Sequence, residues 1–342
     1  MQAREATIMN LRNHGAMKKN FFWKYTGRIG CFLLFLVVFM LGPQVDLDTS
    51  LRPIELPRDL DTYLAQKESA FADIVPGTEK KIVWAHTPGE QTPISLVYVH
   101  GFSASRQDTA PFAAMVAQRL HANLFSTRLS GHGRGSQAML DGGVNAWVND
   151  MQEAMDIGKR LGQRVVLMGI STGGTLAVWQ AAQADQERIA ALVLVSPNFG
   201  PAARRTMILT WPWGAQLAEI LVGKNRSWQP VNEGHGRYWT CSYPVRALLP
   251  MMGLVKLVNS VDLQRIEVPT LCIYSPNDKT VDVTAVLAAF QGLGAEQKRL
   301  VGWTQASDPD QHVLVGDILS PESTVPLAGM VIEFLQGLPG TL

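Results

Sequence analysis

Between residues 164 and 184 a short β-branched run, a Gly-x-Ser-x-Gly pentapeptide and a helical stretch follow one another without a spacer. Arg164-Val-Val-Leu-Met168 reads as a buried strand, Gly169-Ile170-Ser171-Thr172-Gly173 as a tight turn, and Thr172–Ala184 as a helix. A serine at such a strand-to-helix turn is held in a strained backbone conformation that projects its Oγ outward. The flanking glycines are needed because side chains there would collide with neighbouring backbone. The helix N-terminus favours negative charge developing beside it. A Gly-rich turn with no chemistry is the competing explanation, but it does not require a strand before the serine and a helix after it. The pattern therefore predicts Ser171 as a nucleophile and demands a sheet strand on one side of it and a covering helix on the other.

The rest of the chain repeats this alternation. Strands are expected at Ile94–Val99, Asn123–Arg128, Arg164–Gly169, Ala190–Ser196, Thr270–Ser275 and Lys298–Gly302, and helices at Pro111–Leu120, Val144–Leu161, Thr172–Ala184 and Val283–Gly292. Continuous apolar strands separated by helices imply a mostly parallel central sheet with helices on both faces, an α/β fold. With 46% hydrophobic and 17% charged residues among 342, there is ample material for one large α/β domain, expected over residues 81–342. The rhythm breaks at about 199–262, which carries Trp211, Trp213, Trp228 and Trp239, many Gly and Pro breakers, and no clear strand. That segment is expected as an inserted helical cap. Its seven Lys and Arg, Arg204 and Arg205 among them, face only Glu219, Glu233 and Asp262.

The N-terminus carries a different signal. Arg4, Arg12, Lys18, Lys19, Lys24 and Arg28 stand against Glu5 alone, and an uncharged apolar run, Ile29 to Leu41, follows at once. The run is short for a spanning helix, but no small-x-small cleavage site follows it, and Phe21, Phe22, Trp23 and Tyr25 could extend its membrane contact. Residues 1–42 are therefore expected as a retained signal-anchor and transmembrane segment. The basic end would be cytoplasmic and the body would face the outer, periplasmic or extracytoplasmic side. Secretion after cleavage is the alternative, and Met17 is a second possible start. Residues 43–80 are expected as a linker with a short helix around Tyr63–Asp73.

Upstream of the serine, the strand Ile94-Ser-Leu-Val-Tyr-Val99 runs into His100-Gly101-Phe102, and the next strand into Gly131-His132-Gly133. With the pentapeptide, these motifs resemble the α/β-hydrolase superfamily, most closely its monoacylglycerol-lipase-like and lysophospholipase-like serine esterases, over about residues 80–340. The resemblance implies an α/β-hydrolase fold and an oxyanion hole made by the backbone N–H groups of Phe102 and Thr172. It also implies a triad in the order Ser, Asp or Glu, His. Only His235 and His312 follow Ser171; His235 falls in the cap, so His312 is the expected base. Asp278, the first carboxylate beyond the strand Thr270–Ser275, is the expected acid. Asp282 is the alternative, and Asp308 and Asp310 are expected as loop charges. His132 is expected in a structural loop near the pocket. Ile170 and Thr172 depart from the commonest lipase-like elbow.

These residues point to a serine hydrolase that cleaves a small-molecule acyl ester, such as a monoacylglycerol or lysophospholipid, through an acyl-enzyme. An aminopeptidase or thioesterase could use the same triad. A non-catalytic membrane-anchored binding protein would not need it. No cofactor or metal is called for, and no ligand spacing suggests one. Lys+Arg 30 against Asp+Glu 29 offers none of the basic surplus of a nucleic-acid binder. Cys31, Cys241 and Cys272 form no disulfide framework.

Overall fold

The computed structural model describes residues 28–183 and 185–339; the basic flank before Arg28, and Met17 with it, lies outside the described residues. In chain order the strands are β1 (Lys81–Val83), β2 (Thr92–Val99), β3 (Asn123–Ser126), β4 (Gly162–Ile170), β5 (Ile189–Val195), the short β6 (Asn225–Ser227) and β7 (Ser242–Pro244), β8 (Thr270–Tyr274) and β9 (Lys298–Gly302). Seven of them form the central sheet in the order β1-β3-β2-β4-β5-β8-β9. All neighbours in it are parallel except the edge pair β1 and β3. The helices are α1 (residues 28–40), α2 (Leu60–Ser69), α3 (Phe112–Arg119), α4 (Val144–Leu161), α5 (Thr172–Ala181), α6 (Gly214–Val222), α7 (Glu233–Tyr238), α8 (Leu248–Val258), α9 (Val283–Gly292) and α10 (Pro321–Gln336).

The alternation of side chains along each strand builds two core layers. Val97 and Val99 of β2 and Val165 and Leu167 of β4 join the layer under α4, α5, α8 and α9. Ile94, Leu96 and Tyr98, with Val166 and Met168, join the layer under α3 and α10. Both faces of the central strands are dry, which is why their sequence is continuously apolar rather than alternating.

Several boundaries differ from expectation for identifiable reasons. Helix α2 begins at Leu60 rather than Tyr63 because Asp59 caps it, its carboxylate accepting the Thr62 N–H at 3.0 Å. Leu60 and Leu64 are buried in the first core layer, so part of segment 43–80 is packed on the body. Strand β3 stops at Ser126, and Arg128 turns instead toward Glu68. Strand β1 and helix α10 were not expected. The first is only three residues long at a sheet edge, and the second begins at Pro321 and carries a further proline, Pro326, inside the helix, where the residue type argues against one. The insertion between β5 and β8 is mainly helical, but it is not free of strands: β6 and β7 pair antiparallel within it.

A buried ionic network ties the N-terminal part of the chain to the sheet. Arg128 donates to both Glu68 oxygens, at 2.8 and 2.9 Å, and to the His132 carbonyl at 3.1 Å. Lys80 bonds Glu153, which also accepts from the Tyr63 hydroxyl at 2.6 Å. After Arg28, helix α1 is uncharged and mainly apolar, and it is exposed except at the half-buried Phe39. Its end is held by Trp213, whose indole N–H faces the Val38 and Phe39 carbonyls at 3.3 and 3.1 Å. Among the described residues no helix is long and apolar enough to cross a membrane.

Removing one partner of the Arg128–Glu68 pair strands a guanidinium whose side chain is 4% exposed. Glu68→Leu should therefore lower the unfolding free energy by about 3–5 kcal/mol in urea denaturation. A loss below about 1 kcal/mol would mean that the pair is not what holds α2 to the sheet.

Candidate active site

The turn after β4 is as tight as the glycines imply. Ser171 has φ 51° and ψ −118°, a region that a side-chain-bearing residue adopts only under constraint. A Cβ on Gly173 would lie 2.0 Å from the Val99 carbonyl oxygen, and one on Gly169 would lie 2.4 Å from the Gly173 backbone. Three main-chain bonds clamp the serine. Its N–H donates to Val195 O at 3.0 Å, and its carbonyl accepts from Thr175 and Asn198, both at 3.1 Å.

Ser171 Oγ lies 2.9 Å from His312 Nε2, and His312 Nδ1 lies 2.8 Å from Asp278 Oδ2. The elbow after β4, the loop after β8 and the loop after β9 thus bring the three expected side chains into one chain of hydrogen bonds. The Asp278 side chain is 1% exposed and the His312 side chain 11%. The other oxygen of Asp278, Oδ1, accepts the Thr280 and Val281 N–H groups at 2.8 and 3.0 Å, which aims Oδ2 at the imidazole. With Nδ1 donating to the carboxylate, Nε2 is left to accept the serine proton.

Asp282 caps α9 through the Thr284 N–H at 2.9 Å. His235 accepts the Val231 N–H and stands edge-on to Trp239, within the insertion. Asp308 is more than an expected loop charge. Buried, it accepts the His312 and Val313 N–H groups at 2.9 and 2.8 Å and so holds the backbone of His312. The D-x-x-x-H spacing was the available signal, and it is weak. The loops that carry Asp278 and His312 are also joined directly: Lys279 N–H donates to Asp310 O at 3.0 Å, and its Nζ to Pro309 O at 2.7 Å.

Burial opposes a charged His312. The hydrogen bond and charge of Asp278 outweigh it, aided by the charges of Asp308 and Asp310, and the imidazole pKa rises above its ordinary value of 6.5. The other two histidines near the site go the opposite way. Burial pulls His100 down to about 3 and His132 to about 4, so both are neutral. His100 Nε2 accepts the Leu129 N–H at 3.1 Å, which leaves Nδ1–H for the Gly101 carbonyl at 2.8 Å. His132 turns Nδ1 to Ser130 O at 3.1 Å and lies in an aromatic cluster with Phe102 and Trp147.

The expected oxyanion donors flank the serine. Thr172 opens α5, where helix geometry leaves the first amides unpaired. Phe102 follows Gly101, and a Cβ on Gly101 would lie 3.4 Å from Ser171 Cβ. The Phe102 ring packs edge-on against Tyr243 of the insertion at 5.4 Å, which joins this loop to the segment above it.

A base must be neutral to accept a proton, so kcat/KM should rise with pH through a His312 pKa set above 6.5. Asp308→Asn removes a negative charge and should move that acid limb to lower pH. Asp278→Asn should move it the same way and also lower kcat by about 10²–10⁴. Asp282→Asn keeps a capping acceptor and should change neither quantity. A pH–rate series of the three variants checks the ranking; a larger effect at Asp282 than at Asp278 would identify the wrong acid.

Residues 91–306 match the family described as serine aminopeptidase, S33, a span that includes Ser171 and Asp278 and ends just before His312. A thermostable monoacylglycerol lipase of Bacillus sp. (strain H-257) is 25% identical over 217 residues, covering 62% of this chain and 81% of that enzyme. In fold, the chain is similar to a structure described for LipS and LipT, two metagenome-derived lipolytic enzymes. There the TM-score is 0.62 and identity 21%, with 77% of this chain and 99% of that one covered. It is also similar to monoacylglycerol lipase of Paleococcus ferrophilus, with TM-score 0.55, 14% identity, and 75% and 96% covered. Sheet, elbow and family match agree: the chain belongs to the serine aminopeptidase S33 family of α/β-hydrolases.

Proposed function

We propose that this protein is a serine hydrolase that cleaves carboxylic esters of single acyl chains, of the monoacylglycerol or lysophospholipid kind, through an acyl-enzyme. The observation that carries this reading is the line Asp278–His312–Ser171, with links of 2.8 and 2.9 Å and its serine on the strained elbow. In the first step His312 Nε2 takes the Ser171 Oγ proton as Oγ attacks the ester carbonyl. The oxyanion is received by the Phe102 and Thr172 N–H groups. His312 then returns the proton to the departing alcohol, leaving the acyl group on Ser171, and water reverses the sequence. The lipase relative supports the ester, and the apolar core of the insertion (Leu209, Tyr243, Leu248 and Met252), which packs against Phe102, supports an acyl chain. In this reading residues 199–262 act as a cap over the site, and residues 81–342 as one catalytic domain.

The same reading includes a membrane tether at the N-terminus, with residues 1–42 as anchor and the catalytic domain on the outer side. Helix α1 exposes its apolar side chains, and Trp213 fastens its end to the insertion. Helix α6, which starts beside that bond, exposes Ile220, Leu221 and Val222, and Trp211 is exposed just before it. A helix apolar on its outer face beside another apolar helix suits a lipid surface better than water.

A fluorophosphonate probe should label the wild type and fail to label Ser171→Ala. Assays with p-nitrophenyl esters, 1-oleoylglycerol, lysophosphatidylcholine and amino-acid amides should show ester cleavage. Cleavage of the amides alone would favour the aminopeptidase alternative and overturn the ester assignment. For the tether, the full chain should stay with membranes through high-salt and alkaline washes. Recovery as soluble protein with a new N-terminus near residue 43 would instead mean a cleaved signal.

A further inference from the structure

The catalytic scheme leaves one buried carboxylate near Ser171 without a task. Asp108 lies between the turn after β2 and α3 and is 2% exposed. The Tyr98 hydroxyl donates to its Oδ1, and Thr109 Oγ1 backs that hydroxyl at 2.7 Å. The Gly101 N–H donates to its Oδ2 at 3.1 Å. Burying a carboxylate is unfavourable unless its oxygens are satisfied, and here the bonds go to one strand and to the loop beside the nucleophile.

What this does to the loop follows from peptide geometry. Gly101 is held at both ends. Its N–H is on Asp108, and its carbonyl receives His100 Nδ1–H at 2.8 Å and Ala104 N–H at 3.3 Å. In a trans peptide the carbonyl of Gly101 and the N–H of Phe102 point in opposite directions, so fixing the first fixes the second. Gly101 also lies against Ser171, so a small rotation of this residue would swing the Phe102 N–H away from any oxygen bound at the serine. The same segment reaches the base loop: Asp317 N–H donates to Ala110 O at 2.9 Å, and Gly316 packs directly on the Asp108 carbonyl.

We propose that Asp108 is a positioning residue for the reaction, its carboxylate locking Gly101 so that the Phe102 N–H is preset to receive the oxyanion. The inference rests on the ester-hydrolase reading above and adds to it a residue that touches neither substrate nor triad. An asparagine could keep the Gly101 N–H on its amide oxygen and turn its NH2 to the Tyr98 hydroxyl, which accepts as well as donates, whereas an alanine removes the acceptor altogether.

The test uses the full chain and begins with wild-type hydrolysis of p-nitrophenyl butyrate; a wild type without activity would count against the ester-hydrolase reading and so against this inference as well. With activity in hand, Asp108→Ala should lower kcat by about 10²–10³, the loss typical of one oxyanion donor, with KM nearly unchanged. Affinity for a trifluoromethyl ketone, which becomes tetrahedral on Ser171, should fall by a similar factor. Affinity for a non-hydrolysable ether analogue of the ester should hold. Tyr98→Phe leaves the Asp108–Gly101 bond but frees Oδ1, and should show a smaller loss in the same two quantities. A folded Asp108→Ala protein with unchanged kcat, or with reduced kcat but unchanged ketone affinity, overturns the proposal. If Asp108→Ala does not fold, Asp108→Leu combined with Tyr98→Phe, which replaces both buried polar partners by apolar groups of similar size, decides, and wild-type kcat and ketone affinity in that protein overturn the proposal.

Discussion

The strained turn at Ser171 is the constraint from which the surrounding structure follows. A residue at φ 51° and ψ −118° carries a conformational cost of about 1–3 kcal/mol and persists only where its neighbours leave no alternative. Here those neighbours are the three central strands. Strand β5 accepts the serine N–H, the turn after β5 donates to its carbonyl, and β2 comes so close that residue 173 must lack a Cβ. The turn therefore requires β2, β4 and β5 to be adjacent and parallel, and parallel strands require crossover helices on both faces. Two dry core layers supply the burial that offsets the strain.

The same economy shapes the loops around the serine. Each element of the proposed chemistry is held by a second element outside it. Asp278 is aimed by two amides of its own turn, and the His312 backbone is held by Asp308. The loops that carry Asp278 and His312 are stitched by Lys279, and Gly101 is held between Asp108 and His100. Apart from the exposed Lys279 and Thr280 links, these bonds are buried or half-buried, so a misplaced one could not be replaced by water at no cost. Rigidity of the site is thus a consequence of its burial.

Much of this was legible in the chain because it depends on local pattern. The elbow is a contiguous pentapeptide between two periodic segments. Helices α4 and α9 and strand β9 have the bounds that their apolar spacing implies. The order of serine, acid and base leaves few histidines to choose from. What escaped is what depends on distant partners. Asp108 and Asp308 look like solvated loop charges until the fold buries them. Asp59 looks like one more acid in a polar stretch until it caps α2. Strand β1 is too short for its alternation to register, and the β6–β7 pair is hidden among Gly and Pro residues. The apolar helix α1 was legible as apolar, but its bond to Trp213 joins positions about 175 residues apart, which no periodicity can signal.

The central claim is that Ser171 carries the acyl group during turnover, and a direct observation of that intermediate tests it. Rapid mixing of the full chain with excess p-nitrophenyl acetate should release a burst of p-nitrophenol close to one equivalent per protein before the steady state. An acid quench within the burst should yield one peptide heavier by an acetyl group, with the modification on Ser171. A burst whose acetyl group lies on His312 or on any other residue, or turnover with no acylated protein at any time, would contradict the account.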